Sequence, residues 1–138
     1  MSGFRLTGLH RLRRLEEERA AADLARANAE RAEARRRRDE HGQHLAGATL
    51  EEHDFTVAVA GRAALFGLYA ESTAYLALAS ERAEQAGVEW SGRRTAVRMI
   101  DKLAERHAAT EEAEELRTEQ LLLDETAIRQ ALSTEGER

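Results

Sequence analysis

Histidine and carboxylate side chains cluster in one stretch of the sequence, where they could bind a metal ion or act in acid–base catalysis. His41 and His44 are three residues apart, Glu40 precedes them and His53 follows. Imidazole and carboxylate groups are common zinc ligands, but this spacing matches no established signature such as HExxH. We therefore expect solvated loop histidines here and no metal site.

Four consecutive arginines, Arg35 to Arg38, form the strongest basic run and could bind the phosphates of a nucleic acid. The chain as a whole is acidic, with a formal net charge of −5. It also lacks aromatic residues interleaved with the arginines, which single-stranded nucleic acids use for stacking. We expect a solvated helix face or a contact with an acidic partner, and no nucleic acid.

Catalytic signatures are missing from the sequence. The stretch AVAGRAALFGLY contains Gly61 and Gly67 but lacks the Lys-Ser/Thr end of a phosphate-binding loop, and no G-x-S-x-G elbow is recognisable. The absence of cysteine excludes disulfides and thiolate metal ligands. We predict no catalytic, cofactor-binding or metal-binding residue, and we do not expect an enzyme.

Composition favours long helices. The chain has 34% charged residues, 4% aromatic residues and no proline. It is rich in Ala, Leu, Glu and Arg, which are good helix formers, whereas proline is the strongest interior helix breaker. No stretch approaches the roughly 20 apolar residues that span a bilayer, and charges interrupt any signal-peptide pattern. We expect a cytoplasmic helical protein.

Charge is distributed unevenly along the chain. Residues 1–38 contain eleven Arg and six acidic residues, whereas residues 105–138 contain four Arg and ten acidic residues. Opposite charges favour a hairpin in which the two arms run side by side. The predicted fold is all-α, an antiparallel long helical hairpin (two-stranded coiled coil) with an interrupted middle helical segment.

We predict one domain over residues 1–138, with an N-terminal arm at about 4–46, a middle helical segment at about 50–86 and a C-terminal arm at about 90–133. Thr49 and Glu52 have the spacing of a capping box at the start of the middle segment. The glycines of residues 87–92 indicate a second turn or a kink. Whether residues 55–90 form a third helix is left open.

Heptad-like lines with 4-3 spacing predict the contact faces of these segments. The line of the N-terminal arm is thin, because small or long polar side chains replace most of the usual leucines. The three lines are Leu24, Ala27, Arg31, Ala34, Arg38, His41, Leu45 and Ala48; Phe55, Val59, Arg62, Phe66, Tyr69, Thr73 and Leu76; and Val97, Ile100, Ala104, His107, Glu111, Glu114, Thr118, Leu121, Glu125, Ile128 and Leu132.

Three adjacent leucines, residues 121–123, cannot share one partner, because a helix turns about 100° per residue. We expect Leu9 and Leu12 to pair with Leu121 or Ile128 inside the hairpin. A second apolar line through Leu116 and Leu123 then needs a third helix or another protein. The aromatic residues Phe66, Tyr69 and Trp90 have helical spacing and are expected mostly in the core, with a partner-binding patch as the alternative.

Three motifs lie near the ends of the chain. They are a Phe-x-Leu start at Phe4, Leu6 and Leu9, a kL-x-eR segment at Leu103, Glu105 and Arg106, and an E-Q-k-x-l-D-E-x-A segment at Glu119, Gln120, Leu123, Asp124, Glu125 and Ala127. With these motifs, both ends of the chain resemble the FliJ/YscO family of flagellar and type III secretion proteins. The resemblance covers about 75 residues and leaves the middle unaligned. Leu121 and Leu122 depart from it, since polar or basic residues are usual there.

The resemblance implies a non-enzymatic stalk that enters the pore of the hexameric export ATPase, couples it to the cytoplasmic part of the export gate membrane protein and escorts export chaperones. It implies a cytoplasmic location, peripheral to the export apparatus at the inner membrane, without direct membrane insertion or a cofactor. The flagellar and injectisome systems both remain open, and a self-associating coiled coil or helical-bundle adaptor is the alternative. The expected ATPase-binding residues are Phe4, Leu6, Leu9, Arg13, Arg14, Leu122, Leu123, Asp124 and Glu125, and Phe66 and Tyr69 form a possible export-gate or chaperone patch.

Overall fold

Two long α-helices make up the computed structural model, which describes residues 2–49 and 54–136. Helix α1 runs from Ser2 to Gly47 and helix α2 from Phe55 to Gly136. The described residues contain no strand, and the two helices pack against each other. The predicted all-α helical hairpin is confirmed. The chain divides into two units, Arg11–Ala96 and the pair of segments Met1–His10 and Val97–Arg138.

The helices run antiparallel within the unit Arg11–Ala96. Near one end, Arg93 of α2 donates a 3.1 Å hydrogen bond to Glu16 of α1. Near the other end, Arg62 of α2 donates to the carbonyl oxygen of Ala48, which follows α1. Residue numbers therefore rise along α1 as their partners' numbers fall along α2, as an antiparallel hairpin requires.

The contact between α1 and α2 follows a seam, meaning the line of least exposed side chains on each helix. On α1 the predicted 4-3 line is confirmed, because all of its members from Leu24 to Ala48 are buried or half-buried and Ala34 is 1% exposed. The seam is narrow, and no large side chain in the described part of the chain is fully buried. Small side chains let the two backbones approach closely, which is the geometry of this seam.

Most of the predicted line on the first part of α2 is wrong, because five of its seven residues are exposed. Tyr69 and Leu76 lie on the seam as expected, but Phe55 and Phe66 are 67% and 61% exposed. The alternate seam positions lie one residue earlier, and are occupied by Ala58, Leu65, Ser72 and Ala79. Three of these four residues are small, which lets α1 come close, and the two phenylalanines are displaced to the side.

Helix α2 has no break at residues 87–92, so residues 55–90 belong to the same helix as the C-terminal arm and are not a separate third helix. Gly87 lies on the seam beside Leu24 of α1, and a Cβ on it would be 3.9 Å from the Leu24 side chain. Trp90 is half-buried on the same seam, with the Arg94 guanidinium 5.1 Å from its ring centroid. Packing along the seam thus outweighs the roughly 1 kcal/mol that an interior glycine costs a helix.

The start of α2 is capped by Asp54. Its Oδ1 accepts hydrogen bonds from the backbone N–H of Thr56 at 2.9 Å and of Val57 at 3.4 Å. A side-chain oxygen in this position satisfies N–H groups that lack a partner inside the helix. Thr49 of the predicted capping box lies outside both helices, and Glu52 lies outside the described residues.

The second unit pairs the beginning of α1 with residues that follow Ala96 in α2. His10 Nε2 lies 2.5 Å from Asp101 Oδ1, and Val97 and Ile100 are buried. The predicted line stays on the seam through His107, which is half-buried. From residue 108 to residue 136 every residue is exposed, because the part of α1 in this unit is already used opposite the preceding turns.

Two expectations about the arms are therefore corrected. Leu121 and Ile128 are 62% and 61% exposed, so they do not pair with Leu9 or Leu12 inside the hairpin. The acidic residues of the stretch 108–136 are likewise exposed and form no contact face. Exposed ion pairs contribute little energy each, so the charge pattern does not override the packing of the seam.

The seam should tolerate no added volume. We expect Ala79→Gln to lower the free energy of unfolding by about 1–3 kcal/mol, because Ala79 is 1% exposed and a larger polar side chain would separate the helices. The matched control is Ala77→Gln, two residues away at an exposed position, with an expected effect within about 0.5 kcal/mol. Urea unfolding followed by circular dichroism measures both, and equal effects would contradict the assigned seam.

Acid should weaken α1 through Glu33. Hydrogen bonds from Arg36 and Arg37 lower the pKa of Glu33 from 4.5 to about 2. A carboxyl with a lowered folded pKa stabilises the fold above its unfolded pKa and loses that contribution as pH falls through the folded value. The difference in Tm between the natural chain and Glu33→Gln should therefore shrink from pH 5 to pH 2. Ala29→Gln, which changes an exposed residue of the same helix that carries no ionisable group, should show no such trend.

Candidate partner-binding surface

The last part of α2 forms a C-terminal extension, which we define as residues 108–136. All of its residues are exposed, including six large apolar ones. Exposed apolar groups cost free energy in water and, where they cluster, mark sites of protein contact. The six are Leu116, Leu121, Leu122, Leu123, Ile128 and Leu132, with 58–65% of each side chain exposed.

These apolar side chains point in three directions. At about 100° per residue, Leu121, Ile128 and Leu132 share one face, and Leu122 lies about 100° around the helix. Leu116 and Leu123 share a third face, about 200° from the first. A single helix lying along the C-terminal extension could cover only one of these faces, so the arrangement suits a partner that surrounds it.

The extension is acidic. It contains eight Asp or Glu residues and two Arg residues, and one of the latter, Arg129, is paired with Glu125 at 2.5 Å. Four of the acidic side chains lie together before the leucines and border a shallow depression on the helix surface: Glu111, Glu114, Glu115 and Glu119. A partner that carries Arg or Lys beside an apolar surface would complement both parts of the extension.

Four of the predicted ATPase-binding residues lie together on the extension. Leu122 and Leu123 are exposed, Asp124 accepts a 2.9 Å hydrogen bond from Gln120, and Glu125 pairs with Arg129. Leucine thus stands beside carboxylates that are held in place by neighbours one turn away.

The predicted N-terminal residues of the same set lie elsewhere. Leu6 is half-buried on the seam and Leu9 is 41% exposed. Because His10 contacts Asp101, Leu9 lies about 30 Å along α2 from Leu122, at 1.5 Å per residue. The side chain of Phe4 lies outside the described residues. Among the described residues, Leu6 and Leu9 therefore do not form one site with Leu122 and Leu123.

Arg13 is engaged in the hairpin itself. It donates a 2.9 Å hydrogen bond to Glu16, which also accepts from Arg93 of α2, while Arg93 donates to Glu89. The hydrogen bond from Arg13, with the charges of both arginines, lowers the pKa of Glu16. This network joins the helices, whereas the neighbouring Arg14 is exposed.

The two residues of the possible gate or chaperone patch are separated by the fold. Tyr69 is half-buried against Gly42 of α1, where a Cβ would lie 3.2 Å from the tyrosine ring. Phe66 is 61% exposed and points to the side of the seam. Only Phe66 offers its ring to a partner.

The arginine run is largely neutralised by its own helix. Arg36 pairs with Glu33 and Glu40, Arg37 pairs with Glu33, and Arg38 pairs with Asp39. The nearby His41 ring lies 3.3 Å from the carbonyl oxygen of Leu68 on α2. Both features serve local structure.

Sequence reasoning missed an apolar face on the first part of α2, because it assigned that segment to the core. Val57, Leu68, Tyr75 and Leu78 are 45–57% exposed. The sequence feature that could have revealed it is the near absence of charge, since only Arg62 and Glu71 are charged within residues 55–80. Among the described residues, neither helix has a stretch apolar enough to cross a membrane.

Comparison with protein families gives one match. The sequence model described as "Flagellar FliJ protein" matches residues 63–136, which is more than half of the 138-residue chain. No curated protein and no solved structure matches. The match includes the whole extension and the two C-terminal motifs, together with part of the middle that the resemblance left unaligned, whereas Phe4, Leu6 and Leu9 lie outside it. On this match, the chain belongs to the FliJ family.

Proposed function

We propose that this chain is a coiled-coil stalk of the flagellar type III export apparatus and that its C-terminal extension binds inside the hexameric export ATPase. Membership of the FliJ family gives the general role, that of a structural component of flagellar protein export. The observation that carries the finer proposal is the exposure of apolar side chains on three faces of one unaccompanied helix.

A ring fits this pattern because it surrounds the helix that enters it. A helix that is apolar on all sides is normally buried on all sides, and the extension places leucines about 100° apart around its axis. Leu121, Leu122 and Leu123 would each contact a different part of the inner surface of the ring. Burial of each side chain would contribute roughly 1.5–3 kcal/mol to binding.

The acidic residues of the extension determine which ring surface would be complementary to it. Glu111, Glu114, Glu115 and Glu119 precede the leucines and carry no bulky apolar neighbour on their depression. A ring with Arg or Lys at the entrance of its pore and apolar side chains deeper inside would complement this order of acidic residues and leucines. Charge complementarity of this type mainly raises the association rate, so binding should weaken with salt.

Residues outside the extension would contact further surfaces of the export apparatus. The exposed Phe66 would contact the cytoplasmic part of the export gate or an export chaperone, and Leu9 and Arg14 would contact the outer surface of the ATPase ring. The chain would then work without catalysis, in the cytoplasm at the inner membrane, by holding these partners in a fixed relation.

The test changes the three leucines one at a time. Leu121→Glu, Leu122→Glu and Leu123→Glu should each weaken binding to the cognate export ATPase by roughly tenfold or more, because a charge would replace a buried apolar group. All three positions are exposed in the free chain, so the fold should be unaffected. Co-sedimentation with the ATPase and the rate of ATP hydrolysis are the measurements.

Met99→Glu is the matched control, since Met99 is an exposed apolar residue of the same helix, 62% exposed, that precedes the extension. It should bind like the natural chain. An effect of only one leucine would indicate a partner that covers one face. If the natural chain neither co-sediments with the ATPase nor alters ATP hydrolysis, the proposal is wrong and the alternative of a helical adaptor unrelated to flagella gains support.

A further inference from the structure

One side of α2 in the unit Arg11–Ala96 is apolar and uncovered, and it has a different composition from the extension. We call it the outer face; helical geometry turns it to the side of the seam, and one of its edges borders α1. All of its members are exposed. They are Val57, Ala60, Ala64, Gly67, Leu68, Glu71, Tyr75 and Leu78.

Large and small side chains are segregated along the outer face. The first half is mostly small, with Ala60, Ala64 and Gly67 at spacings of four and three residues, and the second half carries Leu68, Tyr75 and Leu78. If the same face of another molecule lay against it in the antiparallel direction, large groups would meet small ones. A two-fold interface between identical surfaces has this self-complementary property.

We propose that the outer face binds the outer face of a second copy of this chain, antiparallel about a two-fold axis that passes between Gly67 and Leu68. The pairing brings Leu68 onto Gly67, Tyr75 onto Ala60 and Leu78 beside Val57, in each case across the two copies. Glu71 then lies opposite Ala64 near the centre line of the face, where the small Ala64 leaves room for the Glu71 side chain to extend toward the edge and keep its carboxylate in water. Small residues already let α1 and α2 approach each other at the seam, so close packing of this kind has a precedent in the same chain.

Charge favours a second copy over other occupants. Arg62 and Glu71 are the only charged residues in residues 55–80, and Arg62 already donates a hydrogen bond to the Ala48 carbonyl. Two outer faces therefore meet without repulsion, whereas two acidic C-terminal extensions would repel each other. An anionic lipid surface is less well matched, because Arg36, Arg37 and Arg38 nearby are all paired with acidic residues.

The size of the face indicates a weak dimer. Four half-exposed large side chains, with the small residues between them, give on the order of 500–600 Å² per copy, near the lower limit of specific interfaces. Leu68, Glu71 and Tyr75 also border a groove that Ala34, Arg37 and His41 of α1 complete. This groove gives the edge of the interface some depth. The proposal goes beyond the stalk function and uses no residue of the extension.

Sedimentation of the full chain tests the proposal directly. Between about 1 and 200 µM the mass should rise from that of a 15.4 kDa monomer toward twice that value, as expected of a weak complex. Leu68→Glu should keep the chain monomeric, and Leu122→Glu on the extension should not. Loss of the dimer in Leu122→Glu but not in Leu68→Glu would assign self-association to the extension and overturn the proposal.

A charge exchange tests the antiparallel order. Ala64→Glu should weaken the dimer at least tenfold by facing Glu71 of the second copy, and the double variant Ala64→Glu, Glu71→Arg should restore it. Both positions are exposed, so neither change should affect the hairpin. Failure of the second change to restore the dimer would overturn the pairing.

Cysteine cross-linking tests the axis, since the natural chain contains no cysteine. Gly67→Cys should form a disulfide-linked dimer on mild oxidation, because the axis passes beside it. Ala60→Cys should not, because its two copies would lie about 22 Å apart at 1.5 Å per residue. Efficient linkage through Ala60→Cys would indicate a parallel dimer. A chain that remains a monomer at every concentration would overturn the proposal, and flotation with phosphatidylglycerol vesicles would then show whether the face binds lipid.

Discussion

Close approach of two helices along a seam of small side chains is the interaction on which the structure depends. Ala34 and Ala79 are 1% exposed and Ala83 is 3% exposed, whereas, apart from Val97 and Ile100, the larger apolar residues of the described chain remain partly or mostly in water. Each buried methyl group contributes little, so stability comes from repetition along the helices rather than from a thick core. The network of Arg13, Glu16 and Arg93 adds a polar contact across the same seam.

The seam also decides which residues are left for partners. Small residues face the neighbouring helix, so bulky ones such as Phe66 and Tyr75 are displaced to the sides, where water reaches them. On the extension the same heptad line continues through Leu121 and Ile128, but the described part of α1 supplies no residues to cover it. An apolar surface in this chain is thus a direct consequence of a close helix contact in one place and of unequal helix lengths in another.

The sequence predicts the helices, their antiparallel order and the α1 side of the seam, because these depend on local propensity and on a regular 4-3 spacing. It does not predict which of two neighbouring lines on α2 forms the contact. Phe55, Val59 and Phe66 have the larger hydrophobicity, whereas Ala58 and Ser72 have the shape that fits, and only the structure separates these two criteria. The sequence leaves open whether the chain turns at residues 87–92, because it does not show that Gly87 lies beside Leu24 of α1. Of the predicted binding residues, those on the extension lie together because they are neighbours in sequence, but Leu9 does not join them, because the pairing of the helices in space fixes its position.

A seam whose most buried residues are mainly alanines reverses, at those positions, the usual relation between side-chain size and sensitivity to mutation. In most proteins the large buried residues are the vulnerable ones, since truncation leaves a cavity. At the most buried positions of this contact, Ala34, Ala79 and Ala83, truncation removes at most one methyl group, and damage comes from atoms that are added. Single-nucleotide changes in alanine codons lead mainly to larger or charged residues or to proline, with glycine and serine as the mild exceptions. The positions at which mutations most readily reduce the stability of this chain are therefore its buried alanines. Its many exposed leucines can be substituted without loss of folding.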